Sequence, residues 1–247
     1  MRRIISTIKH DIKLILKNKN QELSKDIEEV IKQLNQNGII IIRSFLKSPK
    51  IYIKKIDNLI DHPLCWKDEK GSDHRLNGID KFDKDFSKIF KNDFLREIYS
   101  NYIGEIKESY VMANKVLYKD NNLGSGQGWH KDNIARQLKF MIYLNDVNKD
   151  NGPFQYLLKS HKIDKKLKID IKENKLIHNS NRIININPYL EKFKLFEANA
   201  NAGDLIIFDS SGIHRGKPIK SGERYALTLY SNKNKFSKET KQKWLSQ

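Results

Sequence analysis

The segment GQGWHKDN, residues 126–133, places two good metal ligands, His130 and Asp132, one residue apart. Its glycines disfavour a helix, and side chains alternate along an extended segment, so we expect the imidazole and the carboxylate on the same side. Two such groups can take adjacent coordination positions on one metal ion. Alone the pattern is weak evidence, because a histidine and an aspartate often share a loop without binding a metal.

A later segment, residues 201–230, supplies a third candidate ligand, His214. It contains a Gly-Asp turn, an apolar strand and a loop that carries the histidine. Two histidines and one carboxylate form the facial triad of non-haem Fe(II) oxygenases, which leaves coordination positions open. Ligation without thiolate suits Fe(II) better than structural zinc, whose closed sites favour cysteine. His130, Asp132 and His214 together indicate an iron site.

Arg224, at the start of the last predicted strand, could bind a carboxylate of a cosubstrate beside the metal. A guanidinium holds a carboxylate through two parallel hydrogen bonds. If this strand runs beside the one that leads to His214, Arg224 would bind the distal carboxylate of 2-oxoglutarate. The alternative is a surface arginine paired with Glu223.

The elements that must position these residues divide the chain in two. The first third has helical periodicity at 23–38, 48–63 and 83–102 and one buried strand at 39–46. Six strands with turn signals between them are then predicted, at 110–118, 137–147, 153–158, 182–187, 204–209 and 224–231. Helices followed by strands predict an α+β domain, and strands at this density suggest a sandwich or a barrel.

The composition narrows the classes of function. A net charge of +17 raises nucleic acids, membrane surfaces and anionic small molecules as partners. The lysines are spread along the whole chain, however, and we find no aromatic-interleaved basic motif and no zinc-finger spacing, which disfavours nucleic acid. No run approaches the roughly 20 apolar residues of a membrane span.

The single cysteine, Cys65, excludes an intramolecular disulfide and fits a reducing compartment, so we expect a cytoplasmic protein. The basic N-terminus lacks the continuous apolar stretch of a secretory signal. Isoleucines at helical spacing between Ile4 and Ile15 predict an amphipathic helix that packs on the domain, with an anionic membrane surface as the alternative.

Four segments together resemble the phytanoyl-CoA dioxygenase-like family of Fe(II)/2-oxoglutarate oxygenases: NGIIIIRSFLKSP (37–49), GWHKDN (128–133), NGPFQYLLKSHK (151–162) and GDLIIFDSSGIHRGKPIKSGERYAL (203–227). Their order and spacing agree with those of the family from residue 37 to 230. The resemblance implies a double-stranded β-helix (jelly-roll, cupin-like) core with an N-terminal helical layer packed on one sheet. The sequence has no repeats, no Pro/Gly/Ser-rich linker and no low-complexity block, so we expect a single oxygenase domain over 1–247, with a helical extension at 1–36, a family-like core at 37–231 and a tail at 232–247.

Carried over residue by residue, the resemblance implies that His130, Asp132 and His214 bind Fe(II), that Arg224 binds 2-oxoglutarate, and that O2 is the oxidant. Tyr118 and Thr228 are further candidates for hydroxyl contacts to 2-oxoglutarate, with packing in the barrel as the alternative for each. Trp129 and Asn133 flank the metal pair and either shape the pocket or serve the structure.

Three positions refine the resemblance. Lys159-Ser160-His161 stands where the family often has Gly-Ser-His, so His161 is interpreted as a structural residue. Gly216 stands where some members carry a serine that contacts 2-oxoglutarate. Related halogenases have a small residue in place of the carboxylate, so Asp132 disfavours halogenation.

We therefore expect a dioxygenase that hydroxylates a C–H bond of a small polar or anionic metabolite and releases succinate and CO2. The candidate lids are 65–82 and 162–181, both polar and the second rich in lysine. The alternatives are a non-catalytic jelly-roll that binds metal and ligand, and a basic nucleic-acid-binding module. The sequence leaves the oligomeric state open.

Overall fold

The computed structural model describes residues 23–133, 135–172 and 182–245. The helices are α1 (Lys25–Asn37), α2 (Lys50–Asp57), α3 (Asp85–Phe90), α4 (Asp93–Tyr102), α5 (Ile163–Lys172), α6 (Asn187–Leu190) and α7 (Lys238–Leu245), with a 3₁₀ turn at Ile79–Lys81. The strands are β1 (Ile39–Ile42), β2 (Trp66–Lys67), β3 (Asp73–Asn77), β4 (Glu108–Leu117), β5 (Leu138–Tyr143), β6 (Phe154–Leu157), β7 (Leu195–Ala198), β8 (Leu205–Asp209), β9 (His214–Gly216) and β10 (Glu223–Asn232). Within these ranges no helix has the length and apolar character needed to cross a membrane.

The strands form two antiparallel sheets that pack face to face. The large sheet has the order β1-β8-β5-β10-β4-β3-β2 and the small sheet the order β7-β6-β9. An apolar cluster joins them, in which the rings of Phe154 from the small sheet and Phe208 from the large sheet lie 4.4 Å apart. This arrangement is the predicted double-stranded β-helix.

Helices α1 to α4 cover the outer face of the large sheet. Residues at helical spacing on α1, such as Ile27 and Leu34, share one buried cluster with Phe140 of β5 and Leu227 of β10. Since burial of apolar area drives this contact, the amphipathic pattern of the helices accounts for the layer. The predicted helical layer on one sheet is therefore confirmed, whereas the predicted helix between Ile4 and Ile15 lies outside the described residues.

The other face of the same strands points between the sheets. Because successive side chains alternate in a strand, Phe140 faces the helices while Lys139 and Met141 face inward. Along β10, Arg224 and Thr228 face inward in the same way. Strand parity thus places a set of polar side chains in the interior of the jelly-roll.

Five of the six strands predicted between 110 and 231 are confirmed, and the one at 182–187 is wrong. Arg182 makes only an isolated bridge to His130. Ile183 is buried but Ile184 is 97% exposed, and α6 begins at Asn187. The alternation of RIININ is typical of a strand, but among the described residues this segment has no continuous strand partner.

Other boundaries differ more modestly. The helix predicted at 83–102 is two helices, because the chain turns at Lys91 and Asn92 caps α4 by accepting a hydrogen bond from the Phe94 N–H at 2.9 Å. The loop predicted to carry His214 is the short strand β9, and the candidate lid at 65–82 contains β2 and β3.

Candidate active site

His130 and His214 are joined through their backbones. Each donates its N–H to the carbonyl of the other, at 3.0 and 2.9 Å, in an isolated antiparallel bridge. The N–H of Asp132 donates to the Ser210 carbonyl at 2.9 Å. These bonds fix the register between two segments that are distant in sequence. Backbone hydrogen bonds therefore position the three candidate ligands.

The donor atoms of the three residues converge. Asp132 Oδ1 lies 3.5 Å from His130 Nε2 and 3.8 Å from His214 Nε2, and one ligand atom from each residue lies within 4.8 Å of the others. Facial ligands about 2.1 Å from an octahedral ion lie about 3 Å from one another. The three donor atoms are farther apart than this, and the side chains would have to draw closer together to bind one ion.

Both histidines are held in the same tautomer. His130 Nδ1 lies 2.8 Å from the Gly128 carbonyl and His214 Nδ1 lies 2.9 Å from the Gly212 carbonyl. A carbonyl only accepts, so each Nδ1 carries the proton and Nε2 keeps its lone pair. Burial, followed by the neighbouring His214, lowers the pKa of His130 to about 3, and burial also lowers the pKa of His214. Two neutral imidazoles therefore aim lone pairs at the carboxylate.

Gly126 is needed for this arrangement. Its φ is +82°, and a Cβ there would lie 2.5 Å from His130 Cε1. A side chain would therefore strain the backbone and displace the imidazole. The glycines of GQGWHKDN let the loop pass closely over the histidine that it presents.

The carboxylate of Asp132 has a second neighbour, Lys139. Its Oδ2 forms an ion pair with the ammonium of Lys139, which is 6% exposed on β5. Burial alone would raise the pKa of Asp132, but the positive charge of Lys139 lowers it below its ordinary value. The carboxylate is ionised and has a different partner at each oxygen.

Arg224 lies in the same pocket, and the alternative of a surface arginine is wrong. It is 3% exposed, and its Nη1 donates to the Gly152 carbonyl. Its Nε is buried and has no hydrogen-bond partner among the residues described. Glu223 instead lies near the ammonium of Lys115, 3.7 Å away. A buried guanidinium with an unused N–H is suited to bind an anion.

Thr228 and Tyr118, the two candidates for hydroxyl contacts to 2-oxoglutarate, lie in different places relative to the pocket. Thr228 is 5% exposed and lines the pocket with Arg224. Tyr118 does not line it, so its predicted contact is wrong: the side chain is 49% exposed and its hydroxyl donates to Asp120 at 2.6 Å. β4 ends at Leu117, so Tyr118 leaves the sheet before it reaches the interior.

The residues beside the metal pair serve the structure. Trp129 is buried in an apolar cluster with Ile183, and the guanidinium of Arg215 lies 4.6 Å from its ring. Asn133 is exposed, and its side chain accepts from the Ala135 N–H at 3.4 Å. His161 is 1% exposed and lies outside the pocket lining, as its structural interpretation predicts.

The pocket of about 110 Å³ contains residues that the motifs did not reveal. They are Arg75, Met112, Asn114, Ser125, Lys139, Met141, Phe154, Phe208 and Tyr230. Strand parity, counted outward from Arg224 and Thr228, could have identified Tyr230. Arg75 and Ser125 lie on a strand and a loop whose positions depend on tertiary structure.

Gly216 has a structural reason to lack a side chain here. A Cβ at this position would lie 2.8 Å from Ser125 Cβ and 2.9 Å from Arg224 Nη2. Ser125 therefore occupies the space beside Arg224 and brings a hydroxyl to the pocket wall. This serine comes from the loop before His130 and not from the segment that follows His214.

A second cavity, of about 500 Å³, adjoins the first at Arg75, which lines both. Its lining includes Trp66, Lys67, Lys70 and Arg182. Most of it comes from the candidate lid at 65–82. The described part of the other candidate lid, α5 included, lines neither cavity.

Fold and site together define a jelly-roll protein with a His-Asp-His group and a buried arginine in one pocket. A family model for phytanoyl-CoA dioxygenase matches residues 34–226. The chain belongs to this family of 2-oxoglutarate-dependent non-haem iron oxygenases, as the sequence predicted.

Solved structures share the fold at low identity. The epimerase SnoN, in complex with Fe3+ and alpha ketoglutarate, is 12% identical, with a TM-score of 0.63 and coverage of 83% of each chain. HygX from Streptomyces hygroscopicus, with nickel and 2-oxoglutarate bound, is 13% identical, with a TM-score of 0.62 and coverage of 87% of this chain and 89% of that one. A Pseudomonas putida prolyl-4-hydroxylase is 15% identical, with a TM-score of 0.53 and coverage of 85% and 100%. No curated protein matches the sequence.

Proposed function

We propose that this protein is an Fe(II)- and 2-oxoglutarate-dependent dioxygenase that hydroxylates a C–H bond of a small polar or anionic metabolite. The observation that carries the proposal is the convergence of His130 Nε2, His214 Nε2 and Asp132 Oδ1 in one pocket with Arg224. Two neutral imidazoles and one carboxylate on one side of an ion leave its remaining positions open. SnoN and HygX, which share the fold, carry a metal and the cosubstrate in their structures.

The donor set fits Fe(II). Both Nε2 lone pairs are directed by the backbone carbonyls that hold Nδ1–H, which is how metal-binding histidines are commonly oriented. No thiolate lies in the group, and Cys65 is outside the pocket lining. His130, Asp132 and His214 would therefore hold the ion.

Arg224 would bind the distal carboxylate of 2-oxoglutarate. Its unused Nε–H supports this assignment, because a buried donor without a partner loses hydrogen-bond energy that an anion would restore. The Gly152 carbonyl holds the other side of the guanidinium. Thr228 and Ser125 add hydroxyls to the same wall.

Fe(II) bound there, with 2-oxoglutarate and O2, supplies oxidation of a substrate C–H bond to C–OH, while 2-oxoglutarate becomes succinate and CO2. The residues of this chain hold and orient the reactants. Met112, Met141, Phe154 and Phe208 form an apolar wall that excludes water from the site.

The second cavity supports a polar or anionic substrate. Its lining has four cations, Lys67, Lys70, Arg75 and Arg182, and two carboxylates. One carboxylate, Asp68, accepts hydrogen bonds from its own turn, including the Ser72 and Asp73 N–H groups at 2.6 and 2.9 Å. Arg75 is paired with Asp73 and Lys67 with Asp61, so the support for an anionic substrate comes mainly from Lys70 and Arg182.

The metal assignment is tested by succinate formation with purified full-length protein, Fe(II), 2-oxoglutarate and O2. We expect Asp132→Ala to lower turnover by at least about 100-fold, since one of three ligands is lost. The matched control is Asn133→Ala, an exposed neighbour that should keep turnover. Full turnover in Asp132→Ala would remove the triad assignment.

The substrate assignment is tested by metabolites that raise succinate formation above the background without substrate. Carboxylates and phosphates should do so, while their esters and amides should not. Stimulation by the neutral analogues alone contradicts the anionic class. Binding of metal and 2-oxoglutarate without any succinate would favour the non-catalytic jelly-roll, and salt-sensitive retention on DNA or RNA would favour the nucleic-acid module.

A further inference from the structure

Lys139 is a buried cation to which the proposed reaction assigns no part. It lies on β5 with 6% of its surface exposed and lines the metal pocket. Its ammonium is 4.2 Å from the centroid of the Tyr230 ring and forms an ion pair with Asp132 Oδ2. A buried ammonium is costly unless it is paired, so its placement against a candidate metal ligand needs a reason.

The two oxygens of Asp132 have different surroundings. Oδ1 faces the Nε2 atoms of His130 and His214, at 3.5 and 3.8 Å. Oδ2 faces Lys139. One oxygen is therefore directed at the histidines, and the other is held away from them by a fixed positive charge.

We propose that Lys139 is a positioning residue that restricts Asp132 to metal binding through Oδ1 alone. The inference rests on the proposed function, because it concerns the ion that the three ligands would hold. A carboxylate that binds through both oxygens takes an additional coordination position. By occupying Oδ2, Lys139 keeps that position available for 2-oxoglutarate or O2.

The ion pair between Lys139 and Asp132 should also weaken metal binding. Lys139 withdraws negative charge from the carboxylate and repels a divalent cation beside it. Removing the ammonium should therefore tighten metal binding and impair turnover at once. A residue with only a structural role would not have these opposite effects.

Lys115 provides a matched control on the opposite face of the sheet. Its ammonium lies 2.7 Å from Asp57 and 4.9 Å from the centroid of the Tyr225 ring. Replacement of Lys115 by methionine removes the same kind of contact without touching the pocket. It should leave metal affinity and turnover as they are.

The experiment titrates the metal-free full chain with Co(II) by calorimetry and measures succinate formation with Fe(II). We expect Lys139→Met to bind Co(II) at least about tenfold more tightly and to form succinate at least about tenfold more slowly. Lys139→Arg, which keeps the charge, should stay within about threefold of the unchanged protein in Co(II) affinity. Co(II) should also raise the melting temperature of Lys139→Met more than that of the unchanged protein.

The positioning role is overturned if Lys139→Met binds Co(II) equally or more weakly, or if its turnover is undiminished. In that case the proposed function still stands, provided that the unchanged protein binds metal and forms succinate. An unchanged protein that binds no Co(II) overturns both. If Lys139→Met does not fold, Lys139→Gln has the same expected direction, because it keeps an N–H donor but no charge.

Discussion

The two faces of the large sheet carry similar groups of lysine, aspartate and tyrosine. On the outer face, Lys115 of β4 pairs with Asp57 of α2 at 2.7 Å and lies over the ring of Tyr225. The Tyr225 hydroxyl also donates to Asp57 at 2.7 Å. All three side chains satisfy one another, and the group ties a helix to the sheet.

On the inner face, Lys139 pairs with Asp132 and lies over the ring of Tyr230. Here the second carboxylate oxygen faces His130 and His214 instead of a hydroxyl donor. Neutral imidazole nitrogens with lone pairs do not stabilise a carboxylate. The inner group therefore directs a carboxylate oxygen and two imidazole nitrogens at one another, as a metal site does, whereas the outer group consists of hydrogen bonds and ion pairs only.

The largest expected effect belongs to the outer face. Phe140 is fully buried beneath the helices, next in sequence to Lys139. Phe140→Ala should lower the free energy of unfolding by about 3–5 kcal/mol because it leaves a cavity in a packed core. Urea denaturation measures the loss. Metal affinity of the folded variant should be unchanged, and a large change in it would contradict the separation of the two faces.

A smaller effect is expected from Arg224 on the inner face of β10. Arg224→Ala should weaken the binding free energy of 2-oxoglutarate by about 2–3 kcal/mol. The concentration of 2-oxoglutarate needed for half-maximal turnover should therefore rise roughly 30- to 150-fold. Co(II) affinity should survive, since Arg224 is not among the candidate metal ligands. Tyr225→Phe, which alters the adjacent outer residue, is the control. An unchanged cosubstrate requirement in Arg224→Ala would remove Arg224 from the site.

The smallest effect is expected at Thr228. Thr228→Val keeps the shape but removes a hydroxyl from the pocket wall, which should cost about 0.5–1.5 kcal/mol, or roughly 2- to 12-fold in the 2-oxoglutarate requirement. The concentration dependence of succinate formation measures it. Leu229→Ile, a change on the outer face, is the comparison, and equal effects of the two variants would show that the hydroxyl makes no contact.

Much of this molecule could be predicted from local pattern. The periodicity of residues 23–38 predicts an amphipathic helix, and the apolar run at 204–209 predicts a buried strand; both are present, as Lys25–Asn37 and Leu205–Asp209. His130, Asp132, His214 and Arg224 could be selected by chemical type and by resemblance to the family. Their assembly in one pocket agrees with that selection, while their roles, and the single domain over 1–247, stay predictions.

The residues that local pattern missed or misplaced depend on partners distant in sequence. The resemblance placed Tyr118 in the site as the last residue of the predicted strand at 110–118, but β4 ends at Leu117. The alternation at 182–187 lacks a continuous neighbouring strand, so it makes one bridge only. Lys139 resembles the many other lysines of this chain until β5 is placed beside β8 and β10.

The sequence by itself determined that Arg224 and Thr228 lie on one face of their strand, because side-chain parity is a local property of an extended backbone. It also determined the chemical types that suit an iron site. Only the tertiary structure decided that His130 pairs with His214 through the backbone and that Lys139 meets one oxygen of Asp132. Those contacts join segments far apart in the chain, and their register is set by sheet hydrogen bonds and core packing rather than by any neighbouring residues.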